Sequence, residues 1–233
     1  GLNHAKSYLS ADPINSADEY VSVLPMRWIM EQTYAVGKWC ISRMKVNFVE
    51  EAETLFDDLR EIGPTFILFG PRVWEQMAAD IRSKVMDSSF LKRGIYSFSM
   101  KLMSLKSNFL IKLLCEFLVN RWLRDQLGLS FVKSAATGGA ALGPDTFKFF
   151  VNIGIPLRQL YGQTEQIGAY TIHRKGDIDF DSVGFPFDTV KIDIDKPDEE
   201  GIGEIKVNNK NCMQGYLNIC LLYTSPSPRD MWT

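Results

Sequence analysis

The stretch Tyr161-Gly162-Gln163-Thr164-Glu165 concentrates the most chemistry in the fewest residues of this chain. Its glycine permits a tight turn, its threonine hydroxyl can hydrogen-bond a phosphate oxygen, and its glutamate can hold Mg²⁺, a hard cation that takes oxygen ligands and substrate phosphates. Upstream, Thr137-Gly138-Gly139-Ala140 offers small residues that let a ligand approach the backbone. On spacing alone, Tyr161–Glu165 serves equally well as a strand-to-loop turn carrying a surface glutamate. Other chemistries find less support. His4 and His173 are the only histidines, too few for a His-rich metal centre. No serine or cysteine has a nucleophile-activating context. Cys40, Cys115, Cys212 and Cys220 lack C-x-x-C spacing, which fits neither a disulfide framework nor a zinc site, so they read as buried small hydrophobes in a reducing compartment. His173, followed by Arg174 and Lys175, reads as a solvated loop residue, and His4 as structural or capping.

The elements that must position these residues follow from periodicity. Residues 51–62 place Leu55, Leu59 and Ile62 on one side with acids opposite, the pattern of an amphipathic helix, which Gly63-Pro64 ends. Thr65–Phe69 is a short apolar run bounded by Gly-Pro pairs, as expected for a buried parallel strand. Residues 72–85 read as a second helix. Residues 90–126 are helical in tendency, with an apolar stripe over 109–120 that is expected in the core and carries Lys112 and Glu116 four apart, spaced to pair. Strand candidates at 131–136 and 156–160 flank a helix over Pro144–Asn152, and the second strand runs into Tyr161. Alternation of strands and helices argues an α/β fold, a mostly parallel sheet flanked by helices, with ligands expected at the strand C-termini. After Val183 the pattern changes. Val190–Asp195 and a second alternating run from Gly203 predict an antiparallel hairpin in a smaller β subdomain near the C-terminus. The expected boundaries are 1–182, 183–219, and a tail over 220–233 without a readable fold signal.

Composition sets the outer bounds. With 233 residues, 45% hydrophobic and 23% charged, the chain has enough material for one large or two small domains and lies far from the signature of disorder. A net charge of -2 supplies no overall field for nucleic acid. No run of about 18 uncharged apolar residues suggests a spanning helix, and nothing at the N-terminus resembles a signal peptide. The first residue is Gly1, so the chain is expected to be a piece of something longer.

The string YGQTE is similar to the YGxTE signature of the adenylate-forming enzymes, the family of acyl-CoA synthetases, luciferases and peptide-synthetase adenylation domains. Further segments match in order. Leu24-Pro25-Met26-Arg27-Trp28-Ile29-Met30-Glu31-Gln32 resembles LPLxxxxEQ in its long-chain acyl-CoA synthetase form. Val49–Leu55 through Pro71-Arg72-Val73-Trp74-Glu75 is similar to that group's FVEDPETL…PRVWE region. Thr137-Gly138-Gly139-Ala140-Ala141-Leu142 resembles its GGAPL loop, and Gly203-Glu204-Ile205-Lys206-Val207 with Met213-Gln214-Gly215-Tyr216 resembles GEIxVxGxxxMxGY.

The resemblance implies a fatty acid-CoA ligase that makes acyl-AMP from ATP and then acyl-CoA, with ATP and Mg²⁺ required and CoA as co-substrate. Carried over by position, Gly138, Gly139 and Ala140 line the adenine and acyl pocket, Tyr161 stacks on the adenine, and Gly162 is counted among the cofactor-binding residues. Thr164 contacts the phosphate that becomes AMP, Glu165 binds Mg²⁺, and Trp28 stands beside the acyl channel. The family's phosphate loop is expected ahead of Gly1, its YxTGD segment after Tyr216, and its C-terminal domain further on, so this stretch by itself is expected to be inactive. Arg27 and Ala141 depart from the family pattern and leave acyl specificity open. A cytoplasmic location is expected, with peripheral membrane contact as a further option. Two other readings stay open: a non-catalytic nucleotide- or acyl-binding module, and a helical lipid-surface interaction protein built on residues 90–126.

Overall fold

A computed structural model describes residues 2–104 and 113–216. In chain order the elements are α1 (Leu2–Ala11), β1 (Glu19–Ser22), α2 (residues 29–42), β2 (Lys45–Phe48), α3 (Leu55–Ile62), β3 (Phe66–Phe69), α4 (Pro71–Met86) and α5 (Phe90–Ser104). After them come α6 (residues 113–126), β4 (Ser134–Thr137), α7 (Pro144–Asn152), β5 (Leu157–Gln163), β6 (Gly168–Ile172), β7 (Phe185–Pro186), β8 (Val190–Asp195) and β9 (Glu204–Asn209). One sheet runs in the order β2-β1-β3-β4-β5-β6-β7, and a second pairs β8 with β9. Strands β2 to β5 are mutually parallel, while β6 and β7 are antiparallel. The α/β class, the mostly parallel sheet and the small antiparallel sheet near the C-terminus are therefore as the sequence predicts.

Period-two alternation on the central strands builds a core on each face of the sheet. Ile67, Phe69 and Ala135 point to one side, where they meet Leu59 of α3, Trp74 and Met77 of α4, Leu123 of α6 and Phe150 of α7. Phe66, Leu68 and Ala136 point to the other, against Tyr8 of α1 and Tyr34 of α2. All four residues of β3 are buried because helices cover both faces, which is why that strand reads as an unbroken apolar run. Proline stands at the first turn of α4 and of α7, where a missing N–H costs nothing. Gly63 ends α3 in the left-handed region at φ 62°.

Several sequence expectations change. The strand predicted at 131–136 begins only at Ser134, and Phe131 is exposed. The stripe over 109–120 is amphipathic rather than core in its described part: Leu113, Leu114 and Phe117 are exposed, whereas Cys115 and Val119 are buried. Residues 109–112 lie outside the described residues, and so does the expected Lys112–Glu116 pair. Glu116 pairs with Arg124. Of the described cysteines, Cys115 is buried whereas Cys40 and Cys212 are exposed; Cys220, with the tail from 220 on, lies outside the described residues. No described helix is long and apolar enough to cross a membrane.

α2 is α-helical at Ile29–Glu31 and Trp39–Ser42 and π-helical over Gln32–Lys38. Such widened turns are uncommon and cluster at functional sites. Lys38, in the last turn of the π-helical stretch, is fully buried, its Nζ 3.3 Å from the centre of the Tyr34 ring and 4.8 Å from that of Tyr8. The two rings supply a cation–π environment in place of hydrogen-bond partners. Burial drives the Lys38 ammonium down to about 7, against the pull of Asp12 in the other direction. The same burial holds His4 at about 4 and therefore neutral, packed edge-on to Tyr8.

Because the folded pKa of Lys38 lies below its ordinary 10.5, the unfolded chain binds the extra proton between about pH 7 and 10.5. Lys38 therefore makes stability rise with pH across that window. Lys38→Met is expected to raise the denaturation midpoint at neutral pH and to flatten this slope, read by urea unfolding at pH 7, 8.5 and 10. A wild-type slope retained in the variant rejects this account.

Candidate functional site

The parallel strands deliver two segments to the same edge of the sheet. β4 ends at Thr137 opposite Gln159 of β5, so the Gly138–Ala140 loop emerges beside Leu160 and Tyr161. A Cβ on Gly138 would lie 3.3 Å from both the Cβ and the carbonyl oxygen of Leu160, which keeps the loop tight on β5. Gly139 has φ +86°, a conformation costly for any side chain, and the space around its missing Cβ is open. Buried Gln159 fixes the loop by donating its side-chain N–H to the Ala140 carbonyl at 3.3 Å.

β5 extends to Gln163, so Tyr161, Gly162 and Gln163 belong to the strand and do not form a turn past it, a correction to the sequence reading. Gly162 is needed for a different reason from the one its motif suggests. The β5–β6 pairing shifts register between Tyr161 and Gly162, and a Cβ on Gly162 would overlap the Gly168 carbonyl and the Ala169 Cα. The glycine serves a close approach of two backbones at a bulge. Tyr161 is half-buried and stands edge-on to Tyr170, ring centres 5.4 Å apart.

The turn itself is Thr164–Gln166, a single 3₁₀ turn that closes in Ile167 at φ 62°, ψ 37°. A β-branched residue in the left-handed region is strained, and such strain persists where the surroundings over-determine the backbone. Thr164 is exposed and Glu165 half-buried. Tyr216 donates its hydroxyl to Glu165 Oε1 at 2.5 Å, and the Met213 N–H donates to the Glu165 carbonyl at 2.8 Å.

Trp28 sits at the N-terminal cap of α2, 48% exposed, its N–H bonded to the Pro25 carbonyl at 2.8 Å. Two residues on, Met30 Sδ accepts the Ala169 N–H at 3.2 Å, which docks this end of α2 on β6 beside the strand pair that holds Gly162. Glu31 of the same segment faces inward, accepts the Tyr20 hydroxyl at 2.8 Å, and has its pKa raised by burial. Its place is in the core.

Under the site lies a buried ionic cluster. Arg158 of β5 pairs with Asp12, just past α1, at 2.5 Å, and both side chains are almost fully buried. Ser134 of β4 donates its hydroxyl to Asp12 and accepts from Arg158 at 2.6 Å, while Lys175 reaches Asp12 at 3.1 Å. His173 is likewise buried, a correction to its reading as solvated: its Nδ1 accepts the Gln159 N–H at 3.2 Å and its Nε2 donates to the Ser182 carbonyl at 2.8 Å. Those two bonds fix the neutral Nε2–H tautomer and leave no nitrogen for a base.

The structure thus gathers the Gly138–Ala140 loop and Tyr161–Glu165 at the C-terminal ends of the parallel strands, with Trp28 at the end of α2 that docks on neighbouring β6. An open backbone bend, an aromatic ring, a free-standing hydroxyl and a carboxylate suit a ligand that is part ring and part phosphate. Among the described residues no group of three His, Cys, Asp or Glu could enclose a metal ion. A lone carboxylate fits Mg²⁺ brought in on phosphates, because that ion keeps waters and phosphate oxygens and needs only one or two carboxylates. Sequence reasoning assigned no role to Gln159, Met30 or Arg158. Tyr216 stood within a recognised motif without one, and nothing in local periodicity marks any of the four.

The family model for AMP-binding enzymes matches residues 2–217. Among curated proteins, the chain is 33% identical over 188 residues to the long-chain-fatty-acid–CoA ligase ACSBG2 of Gallus gallus, covering 77% of this chain and 25% of that protein. The Rattus norvegicus ACSBG2 is 29% identical over 215 residues, 86% of this chain and 32% of its own length. The chain therefore spans about a quarter to a third of the curated relatives it matches. Among solved structures, VinN in complex with L-aspartate superposes with a TM-score of 0.64 at 17% identity, over 95% of this chain and 47% of that one. O-succinylbenzoate coenzyme A synthetase from Bacillus subtilis, in complex with ATP and magnesium ion, gives 0.60 at 17% identity, over 93% and 38%. At these identities the structural likeness speaks to the fold.

Proposed function

The chain belongs to the AMP-binding enzyme family, and from that premise we propose that it forms the nucleotide- and acyl-facing part of a ligase that activates a long-chain fatty acid with ATP and passes the acyl group to CoA. The observation that carries this reading is the convergence of the Gly138–Ala140 bend with Tyr161, Thr164 and Glu165 at one sheet edge. The relatives named as long-chain-fatty-acid–CoA ligases supply the substrate class.

In this reading the Gly138–Ala140 backbone and the Tyr161 ring bracket the purine, with Gly162 holding the strand beside it, and Gly139 leaves room where the purine and acyl group meet. The exposed Thr164 hydroxyl donates to the α-phosphate. Glu165 is the residue that would hold Mg²⁺, which supplies charge neutralisation on the phosphates when bound. Trp28 bounds the acyl side. A fatty carboxylate oxygen attacks the α-phosphorus, the bond to the bridging oxygen breaks, and pyrophosphate leaves with its electron pair. The CoA thiol then gives its proton to solvent, its sulfur bonds to the acyl carbon, and the bond from that carbon to the AMP oxygen breaks, so that AMP leaves with the electron pair. Neither step needs a protein nucleophile, and positioning with charge stabilisation accounts for the chemistry. The rest of the relatives' length, including a phosphate loop and a C-terminal domain, belongs to the same proposal.

The test is ATP–pyrophosphate exchange by the full-length protein with palmitate, acetate or benzoate as the acid. Exchange driven by palmitate and not by the other two is expected. Benzoate-driven exchange would reassign the acyl class, and ATP binding without exchange for any acid would favour a non-catalytic nucleotide-binding module.

A further inference from the structure

We propose that Tyr216 is a positioning residue for Glu165, and that through it the segment after β9 sets how strongly the site holds a cation. This rests on the reading of Glu165 as the Mg²⁺ carboxylate. Three bonds tie residues 212–216 to the Thr164–Gln166 turn. The Tyr216 hydroxyl donates to Glu165 Oε1 at 2.5 Å, the Met213 N–H donates to the Glu165 carbonyl at 2.8 Å, and the Gln166 side-chain N–H reaches Cys212 Sγ at 3.3 Å.

One of these bonds acts on the carboxylate itself. A short O–H···O⁻ bond is among the stronger kinds, and it both fixes the glutamate rotamer and occupies a single oxygen. Oε1 is thereby committed to Tyr216, and Oε2 is presented to a cation as a monodentate ligand. Such presentation suits Mg²⁺, whose octahedral shell is completed by phosphate and water. Without the hydroxyl, the half-buried glutamate regains rotamers that its turn, strained at Ile167, does not by itself restrict.

The arrangement also has a geometric consequence. The β8–β9 hairpin leads into Cys212–Tyr216 through the turn at Asn209–Asn211, where the Asn211 N–H bonds the Asn209 side chain at 3.0 Å. Loading the carboxylate is therefore coupled to the seating of the second sheet against the first. Loss of an outer-shell partner that orients a metal-binding carboxylate typically weakens metal affinity by about 10–100-fold, so loss of the hydroxyl should weaken cation binding by about ten-fold or more.

The experiment titrates Mn²⁺ into the full-length protein with and without α,β-methylene-ATP, reading free Mn²⁺ by electron paramagnetic resonance. Wild type is expected to bind Mn²⁺ tightly only with the nucleotide. Tyr216→Phe keeps the ring and should raise the Mn²⁺ dissociation constant about ten-fold, with metal-free nucleotide affinity unchanged. A merely structural tyrosine would move both constants together. Should the variant melt early, titration below its melting midpoint reads the same constant on folded protein. Unchanged or tighter Mn²⁺ binding in Tyr216→Phe, with Glu165→Gln abolishing it, would overturn the inference and leave the metal reading standing. Unchanged binding in Glu165→Gln would overturn the metal reading first.

Discussion

Glu165→Gln in the full-length protein is expected to lower the adenylation half-reaction by about 10²–10³-fold, in the range seen when one preorganised electrostatic group is removed from a reacting phosphate or oxyanion. Glutamine keeps the side chain's size and can still accept a hydrogen bond from Tyr216, so the fold is preserved while the formal charge is lost. The assay is palmitate-dependent pyrophosphate release at saturating ATP, followed across Mg²⁺ concentration. If charge on Glu165 is what matters, the loss falls on the rate and on the Mg²⁺ requirement, and metal-free ATP binding is little changed. A variant within three-fold of wild type at all Mg²⁺ levels would remove Glu165 from the chemistry and return it to the surface turn that spacing alone allows.

The second large effect concerns the foundation of the site. Arg158→Ala is expected to destabilise the fold by about 3–5 kcal/mol, because it strands the Asp12 carboxylate in the interior. Lys175 reaches Asp12 from a half-exposed position and compensates only in part. Against the ~5–15 kcal/mol of a typical domain, the loss takes a large share of the whole. Urea denaturation of the purified protein measures it directly. The double substitution Asp12→Leu with Arg158→Met should recover much of the loss, since an apolar pair of similar volume removes the stranded charge. A cost below 1 kcal/mol for Arg158→Ala would mean that water reaches Asp12 and that the cluster is less dry than its burial suggests.

The readable and unreadable parts of this fold separate along physical lines. β3, α4, α7 and the β8–β9 hairpin announce themselves because each has a local cause: an apolar run between Gly-Pro pairs, a proline at the first turn, or clean alternation. β1, β2 and β6 do not. β1 and β2 are four residues each, and Lys45, Asn47 and Glu19 interrupt their apolar pattern with groups that find partners only across the sheet. β6 depends on the reversal at Ile167, a residue whose type argues against a left-handed turn. α2 is hidden for another reason: its inward positions 31, 34, 35 and 38 keep helical spacing, but two of them are Glu31 and Lys38, charged residues that a hydrophobic pattern assigns to the surface.

The site divides the same way. Gly138–Ala140 and Tyr161–Glu165 were legible as motifs, and the sheet register brings those two segments together. Their supports were not, because Gln159, Arg158 and Tyr216 act over long sequence separations. His173 was misread for a related reason: its basic neighbours suggest solvent, but its partners, Gln159 and Ser182, come from other parts of the chain.

The backbone contact at Gly162 bears on how such chains are sorted into working enzymes and retired ones. A descendant that had given up catalysis would still be held to glycine there by the need to assemble its strands, whereas nothing in the folding of the exposed Thr164 side chain would resist drift. Within the five-residue string, Gly162 is thus a mark of ancestry and Thr164 a mark of trade.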